Sequence, residues 1–237
     1  MELPENFFNM LTPLLVGATY FSAFKDGKTT CNRFITNYFL YLFTSLVIYF
    51  TAIKVYEEKG VPINKSLIGL SFILIFVLIF ALTFTENIVY QHLIYLSILI
   101  AMAYTQKIYL EKKQFEKEVI EETLKKMMII IVVCLLIAVK FPQHMNDSFL
   151  QFLFFGSLFV VFFRIVDYLF LKKKHNDMIS SVTVFLFSGF IMYDSKRVIE
   201  LAKKCTLNGG SPNYLTHVFD MFLNIQGLFN NLVDVIE

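Results

Sequence analysis

The last apolar stretch of the chain carries a row of polar side chains whose types and spacing could do chemistry. They recur at steps of three and four residues, so they lie on one stripe of a helix. The members of this stripe are His217, Asp220, Asn224, Gly227, Asn231 and Asp234. Carboxylate and amide oxygens are the ligands that Ca²⁺ prefers. Two carboxylates held close together in a low dielectric cannot both ionise. Side chains of these types can ligate a cation or share a proton, so the stripe is the first candidate site.

The rest of the same helix is apolar, with Phe219, Phe222 and Phe229 among its side chains. A helix with one polar stripe belongs inside a bundle or beside a watery cavity, and not against lipid. The alternative is a surface helix that lies in the membrane interface with its stripe in water. We favour the enclosed position.

Three further charged residues lie close to apolar runs. Arg164 and Asp167 are three residues apart on one helical face, so we expect an intramembrane ion pair with a structural role. Asp194 closes another apolar run and is followed by Arg197. Asp194 could belong to the ion pathway, or it could be an interfacial carboxylate that pairs with Arg197 one turn later.

The elements that must position these side chains are membrane-spanning helices. Hydrophobic residues make up 57% of the 237 residues and charged residues only 17%, against about 25% charged in soluble domains. The sequence predicts an all-α, polytopic transmembrane helical bundle that forms a single integral membrane domain over 1–237. The predicted spans are 34–53, 66–85, 88–110, 127–141, 149–171, 178–195 and 214–236. We expect the last of these to be the central helix.

Two segments need separate treatment. Residues 7–24 are barely long enough to cross and contain Pro13, so they predict either an interfacial helix or an additional span. Residues 111–126 mix lysine and glutamate at helical spacing, which favours extension of the neighbouring helices into water.

Composition also excludes several classes of function. The net charge is +2 and the lysines form no basic face, so no nucleic-acid partner is expected. No nucleotide-binding loop, metal-ligand cluster or activated nucleophile is visible, so we expect neither an enzyme nor a cofactor. The expected partners are the lipid bilayer, Ca²⁺ as a permeant ion, protons and other membrane proteins. An endomembrane such as the ER or Golgi, another cellular membrane and a viral membrane all stay open.

Two segments of the sequence resemble the last two helices of the Bax-inhibitor (TMBIM) family. Residues 185–195 read Phe-Leu-Phe-Ser-Gly-Phe-Ile-Met-Tyr-Asp-Ser, and residues 221–229 read Met-Phe-Leu-Asn-Ile-Gln-Gly-Leu-Phe. The family has an aromatic-rich stretch that ends in Tyr-Asp-Thr, followed in its final helix by Leu-Tyr-Leu-Asp-Ile-Ile-Asn-Leu-Phe. The number and spacing of the spans over roughly 33–236 agree as well.

The resemblance implies six helices around a central seventh, a pH-sensitive Ca²⁺ leak and, in eukaryotic members, dampening of cell death. In that family two aspartates, one from each of the last two helices, share a proton and latch the pore. Asp194 matches the first, whereas the second aligns with Asn224, which cannot ionise. Asp220 lies one turn earlier and is a candidate replacement, about 6 Å away along the helix axis. The family arginine of the second helix has no match within 66–85.

Three functions compete on this basis. The leading hypothesis is a Ca²⁺ leak channel, or a regulator of ion homeostasis and cell death, with a degraded latch. The second is a structural membrane scaffold, including a virion membrane component, because the second aspartate and the arginine are missing. The third is an intramembrane aspartyl protease built on Asp194 and Asp220. Such a site needs two carboxylates in contact, and the Gly-x-Gly-Asp motif of those proteases is absent before Asp220.

Overall fold

The structure is a computed structural model that describes residues 7–25, 28–62, 65–113, 117–171, 175–208 and 212–236. Within these residues the chain forms eight α-helices, a two-stranded antiparallel ribbon and one short 3₁₀ turn. The helices are α1 Phe7–Ala23, α2 Phe34–Glu58, α3 Lys65–Phe84, α4 Ile88–Lys113, α5 Lys117–Lys140, α6 Asp147–Phe170, α7 Asn176–Asn208 and α8 Tyr214–Ile236. The ribbon consists of β1 Phe24–Lys25 and β2 Lys28–Thr29.

Each predicted span coincides with one helix, which confirms the all-α helical bundle. The expectation that the charged segment 111–126 prolongs its neighbours is also confirmed, since α4 continues to Lys113 and α5 begins at Lys117. Helix α7 continues beyond the predicted span 178–195, as far as Asn208. Residues 196–204 are mostly Lys, Arg, Glu, Leu and Ala. These residues have high helix propensity and extend a helix beyond its apolar part.

Four helices of the described residues are long and apolar enough to cross a membrane: Phe34–Glu58, Ile88–Glu111, Asp147–Phe170 and Asn176–Cys205. Two shorter apolar helices, Met10–Ala23 and Gly69–Phe84, accompany them. The first turns of α5 contain many charged residues, and α8 contains the polar stripe. That α5 and α8 also cross the membrane stays a prediction.

The described residues group into two compact units. The first comprises Met1–Gln114 with Gly209–Val218, and the second comprises Phe115–Asn208 with Phe219–Glu237. Helix α8 therefore contributes its first turn to the first unit and the remainder to the second. The expectation of a single domain stays a prediction.

In the first unit, the start of α8 is held by the start of α2. Asn37 is fully buried and its amide donates to the hydroxyl of Tyr214 over 3.2 Å. The Tyr214 hydroxyl donates in turn to the carbonyl of Thr30 over 2.6 Å. These buried polar groups satisfy one another, so they fix the position at which α8 begins.

In the second unit, α6 and α7 pack through two reciprocal contacts between a leucine and a glycine. A Cβ added at Gly189 would overlap the side chain of Leu153, and one added at Gly156 would press on Leu186. Leu153 and Leu186 are both buried. Small residues at a membrane helix interface let the two backbones approach closely and gain packing energy. The contact places α7 with one face on α6 and leaves another face for α8.

Candidate functional site

The candidate site lies in the second unit, where polar side chains of α7 and α6 meet the polar stripe of α8. Contacts between α7 and α8 follow an antiparallel order, since Asp194 bonds Asn224 while Arg197, one turn later, pairs with Asp220, one turn earlier. We call this set the polar column. Its members are Arg164, Ser180, Asp194, Arg197, Asp220, Asn224, Asn231 and Asp234.

The centre of the polar column is the hydrogen bond between Asn224 and Asp194. The Nδ2 atom of Asn224 donates to Oδ2 of Asp194 over 2.7 Å. Asp194 is buried, with 9% of its surface exposed, so the bond is sheltered from water. The family's two carboxylates are replaced here by one carboxylate and one amide. An amide N–H donates to a carboxyl oxygen whether or not that carboxyl is protonated. This contact therefore needs no shared proton.

One turn away, Arg197 and Asp220 form an ion pair. Nη1 of Arg197 lies 3.4 Å from Oδ2 of Asp220, and both side chains are about half exposed. Asp220 thus pairs with Arg197, one turn away from the contact between Asp194 and Asn224. The same geometry replaces the expected interfacial pair between Asp194 and Arg197. Asp194 and Asp220 have different partners, an arrangement unlike the proton-sharing pair that an aspartyl protease requires.

Towards the C-terminal end of α8, Arg164 of α6 reaches into the polar column. Its Nη2 atom donates to Oδ1 of Asn231 over 3.0 Å and to the hydroxyl of Ser180 over 3.2 Å. Ser180 is fully buried and its hydroxyl lies 3.4 Å from Oδ2 of Asp234. The amide of Asn231 also donates to the carbonyl of Gly227 over 2.7 Å. Residues from three helices therefore share one network at this level.

The predicted ion pair between Arg164 and Asp167 is replaced by these contacts. Asp167 is buried, and its Oδ1 atom accepts the backbone N–H of His175 over 3.2 Å. Asp167 thus fastens the beginning of α7, where a carboxylate also interacts favourably with the free N–H groups of the helix. Sequence spacing placed the two residues on one face but did not show that neighbouring helices offer each of them another partner.

The burial of α8 rejects the interfacial alternative. Phe222, Leu228 and Val233 are fully buried, and most other apolar side chains of this helix are buried as well. A surface helix would keep one whole side in water or in lipid headgroups. The expectation of an enclosed helix is thus supported by its burial and by the partners of its polar stripe.

The glycine of the stripe has a packing role. The ring of Phe187 on α7 lies so close to Gly227 that any Cβ at position 227 would overlap it. The stripe predicted from spacing therefore combines residues that make polar contacts with Gly227, against which the ring of Phe187 packs.

Two site residues behave differently from expectation. His217 belongs to the first unit, where its carbonyl accepts the hydroxyl of Tyr38 over 3.1 Å. Ser180 was missed, although the steps of three and four from Asp194 back along α7 reach it through Ile191, Phe187 and Thr183. The same periodicity that picked out α8 would have found it.

Comparison with known proteins agrees with this architecture. Several helices that are long and apolar enough to cross a bilayer define an integral, multi-pass helical membrane protein. The family model described as "Inhibitor of apoptosis-promoting Bax1" matches residues 31–237, which include the whole polar column. The chain belongs to the Bax inhibitor family.

A protein of Vibrio cholerae described as an uncharacterized membrane protein is similar to part of the chain. The two are 31% identical over 90 residues, which is 38% of this chain and 37% of the relative. The chain thus aligns with little more than a third of that protein's length, and the likeness supports membrane association without assigning an activity.

Proposed function

We propose that this Bax-inhibitor-like protein is a cation leak pathway, with Ca²⁺ as the permeant ion and the polar column as its route. The observation that carries the proposal is the buried hydrogen bond between Asn224 and Asp194. A polar pair of this kind costs free energy in a membrane, so it favours a functional role over simple packing. Its position in the last two helices corresponds to the family latch.

The chemistry of the column suits a weakly bound cation. Asp220, Asn224 and Asn231 supply oxygen ligands at successive levels of α8, and Asp194 of α7 adds a carboxylate at the level of Asn224. Within the described ranges, no group of three or more His, Cys, Asp or Glu side chains is arranged to hold a metal. Conduction needs several weak sites in a row, because a tight site would retain the ion.

In this proposal the structure corresponds to the closed state. Asp194 is engaged by Asn224, and Asp220 is engaged by Arg197. A cation could use these carboxylates only after both contacts separate. A leak of this kind would lower the Ca²⁺ content of a store, which is the route by which the protein would regulate ion homeostasis and cell death.

The experiment is Ca²⁺ flux into dye-loaded liposomes for the wild type, Asp194→Asn and Asp220→Asn. Each substitution removes a negative charge from the route and should lower the flux several-fold. Asp177→Asn removes a charge from an exposed position of α7 outside the column, and should leave the flux unchanged. A wild-type protein without Ca²⁺ flux between about pH 6 and 8, a range in which an ordinary aspartate is ionised, would contradict the proposal.

The scaffold alternative is favoured by one observation, the amide at position 224 where the family has its second carboxylate. It predicts no Ca²⁺ flux from the wild-type protein and no change in any cellular phenotype in Asp194→Asn. The same liposome series therefore separates the two functions.

A further inference from the structure

Two cavities meet in the first unit, beside α1, α2, α4 and the first turn of α8. One is apolar, with a volume of about 400 Å³, and the other is polar, with a volume of about 540 Å³. Both volumes fall in the range of about 300 to 1,000 Å³ that is typical of ligand sites. The residues that line both are Tyr41, Ile88, His92 and Leu215. The two cavities are therefore parts of one composite cavity.

The apolar part is lined by α1, α2 and α4, with Val16, Ile48 and Leu96 among its walls. Its polar wall groups are already bonded to one another. The hydroxyl of Tyr95 donates to Oγ of Ser45 over 2.9 Å, and the hydroxyls of Thr19 and Thr44 lie 2.9 Å apart. A ligand in this part gains nothing from hydrogen bonding, so the walls suit a hydrocarbon chain.

The junction of the two parts is formed by His92 and Tyr41. Nε2 of His92 lies 3.0 Å from the Tyr41 hydroxyl, and Nδ1 lies 2.6 Å from the carbonyl of Ile88. Both ring nitrogens are therefore occupied, and the ring is held in place between α2 and α4. This pair marks the level at which apolar walls give way to polar ones.

The polar part is lined by connecting segments and contains charges of both signs. Lys28 comes from β2 and Glu86 from the connection between α3 and α4, and both are exposed. Gln91 and Asn213 add amide groups to the same wall. An ammonium and a carboxylate in one cavity match a head group that carries a phosphate and a quaternary or primary amine.

The order of the two parts matches that of an amphiphile in one leaflet. The apolar part lies against α2 and α4, which are long and apolar enough to cross the membrane, and against the shorter apolar helix α1, whereas the polar part lies at the connections between helices. The apolar part, with a volume of about 400 Å³, lies near the lower end of the range for ligand sites and therefore suits a single acyl chain.

We propose that the composite cavity binds a zwitterionic single-chain phospholipid, with its acyl chain among α1, α2 and α4 and its head group between Lys28 and Glu86. This site lies in the first unit and does not depend on conduction through the polar column.

The test is photo-crosslinking of the full-length protein, reconstituted in nanodiscs, with lysophosphatidylcholine that carries a diazirine in its acyl chain. Adducts should concentrate on the lining segments of α2 and α4. Unlabelled lysophosphatidylcholine should compete at least about tenfold better than a fatty acid or a two-chain phosphatidylcholine, which corresponds to 1.4 kcal/mol.

Matched variants test the two parts separately. Leu96→Trp fills the apolar part and should abolish the specific adducts, whereas Ile100→Trp, on the same helix but outside the cavity, should not. Lys28→Gln and Glu86→Gln should each remove the preference for the zwitterionic head. Lys25→Gln changes an exposed lysine outside the cavity and should retain it. The head-group variants decide the matter if Leu96→Trp fails to fold.

Three results would overturn the proposal. Equal competition by a fatty acid would mean that the head group is not recognised. Equal competition by two-chain phosphatidylcholine would mean that the cavity receives a chain of the ordinary bilayer. Labelling spread evenly over lipid-facing helices such as α6 would mean surface contact alone.

Discussion

Helices α6 and α8 are nearly equal in length, with 24 and 23 residues, and both are rich in phenylalanine and leucine. Yet Phe155, Phe159 and Phe162 of α6 are each about two-thirds exposed, whereas Phe222 and Leu228 of α8 are fully buried. This difference in burial is explained by the polar residues of the two helices and not by their apolar residues. Lipid is as apolar as leucine, so burying leucine brings little gain, whereas polar groups gain partners when their helix is enclosed.

The largest expected effect is a difference in stability between removing a buried ring from α8 and removing an exposed ring from α6. Phe222→Ala removes a fully buried ring from α8 and leaves a cavity, so it should lower the free energy of unfolding by about 3 kcal/mol, the low end of the range for soluble cores. Phe159→Ala removes a ring that is 66% exposed on α6, and the change should stay within about 0.5 kcal/mol. Denaturant unfolding in mixed micelles measures both. Equal losses of unfolding free energy in the two variants would contradict the proposed difference between α8 and α6.

A smaller effect is expected where α8 admits a neighbouring ring. Gly227→Ala places a methyl group into the ring of Phe187 and should cost about 1 to 3 kcal/mol. Gly69→Ala on α3 is the matched control, because nothing lies within 4 Å of an added Cβ there. Phe187→Leu should restore part of the loss in the Gly227→Ala protein. A Gly227→Ala protein as stable as the control would show that the two helices do not pack this closely.

The smallest stability effect concerns the polar network at the C-terminal end of α8. Asn231→Ala removes the acceptor of Arg164 and the bond to the Gly227 carbonyl. Hydrogen bonds between membrane helices are worth about 0.6 to 1.7 kcal/mol, so the unfolding free energy should fall by about that amount. Ser181→Ala serves as the control, because this exposed hydroxyl bonds only within its own helix. A loss no larger than that of the control would mean that the network does not join the helices.

Much of the fold could be predicted from the sequence, since long apolar runs have few alternatives in a membrane. The polar stripe could be predicted as well, because its period of three and four residues is a local property of α8. The partners within the column could not be. Arg164 and Asp167 share a face, yet each finds a better partner on another element, and those partners depend on how the helices pack. The extension of α7 beyond 195 lies in polar sequence, where hydropathy gives no signal.

The central claim is that Asn224 holds Asp194 without a shared proton, and the pH dependence of Ca²⁺ leak tests it most directly. In the wild type the contact should persist between about pH 6 and 8, because the amide donates to Asp194 in either protonation state, so the leak should depend on pH much less than in Asn224→Asp. In Asn224→Asp, two carboxylates stay together only while they share a proton. Low pH should therefore keep this variant closed, and its leak should rise as the pH rises and both groups ionise. A wild-type leak with a steep pH dependence, or an Asn224→Asp leak as flat as the wild type, would contradict the account.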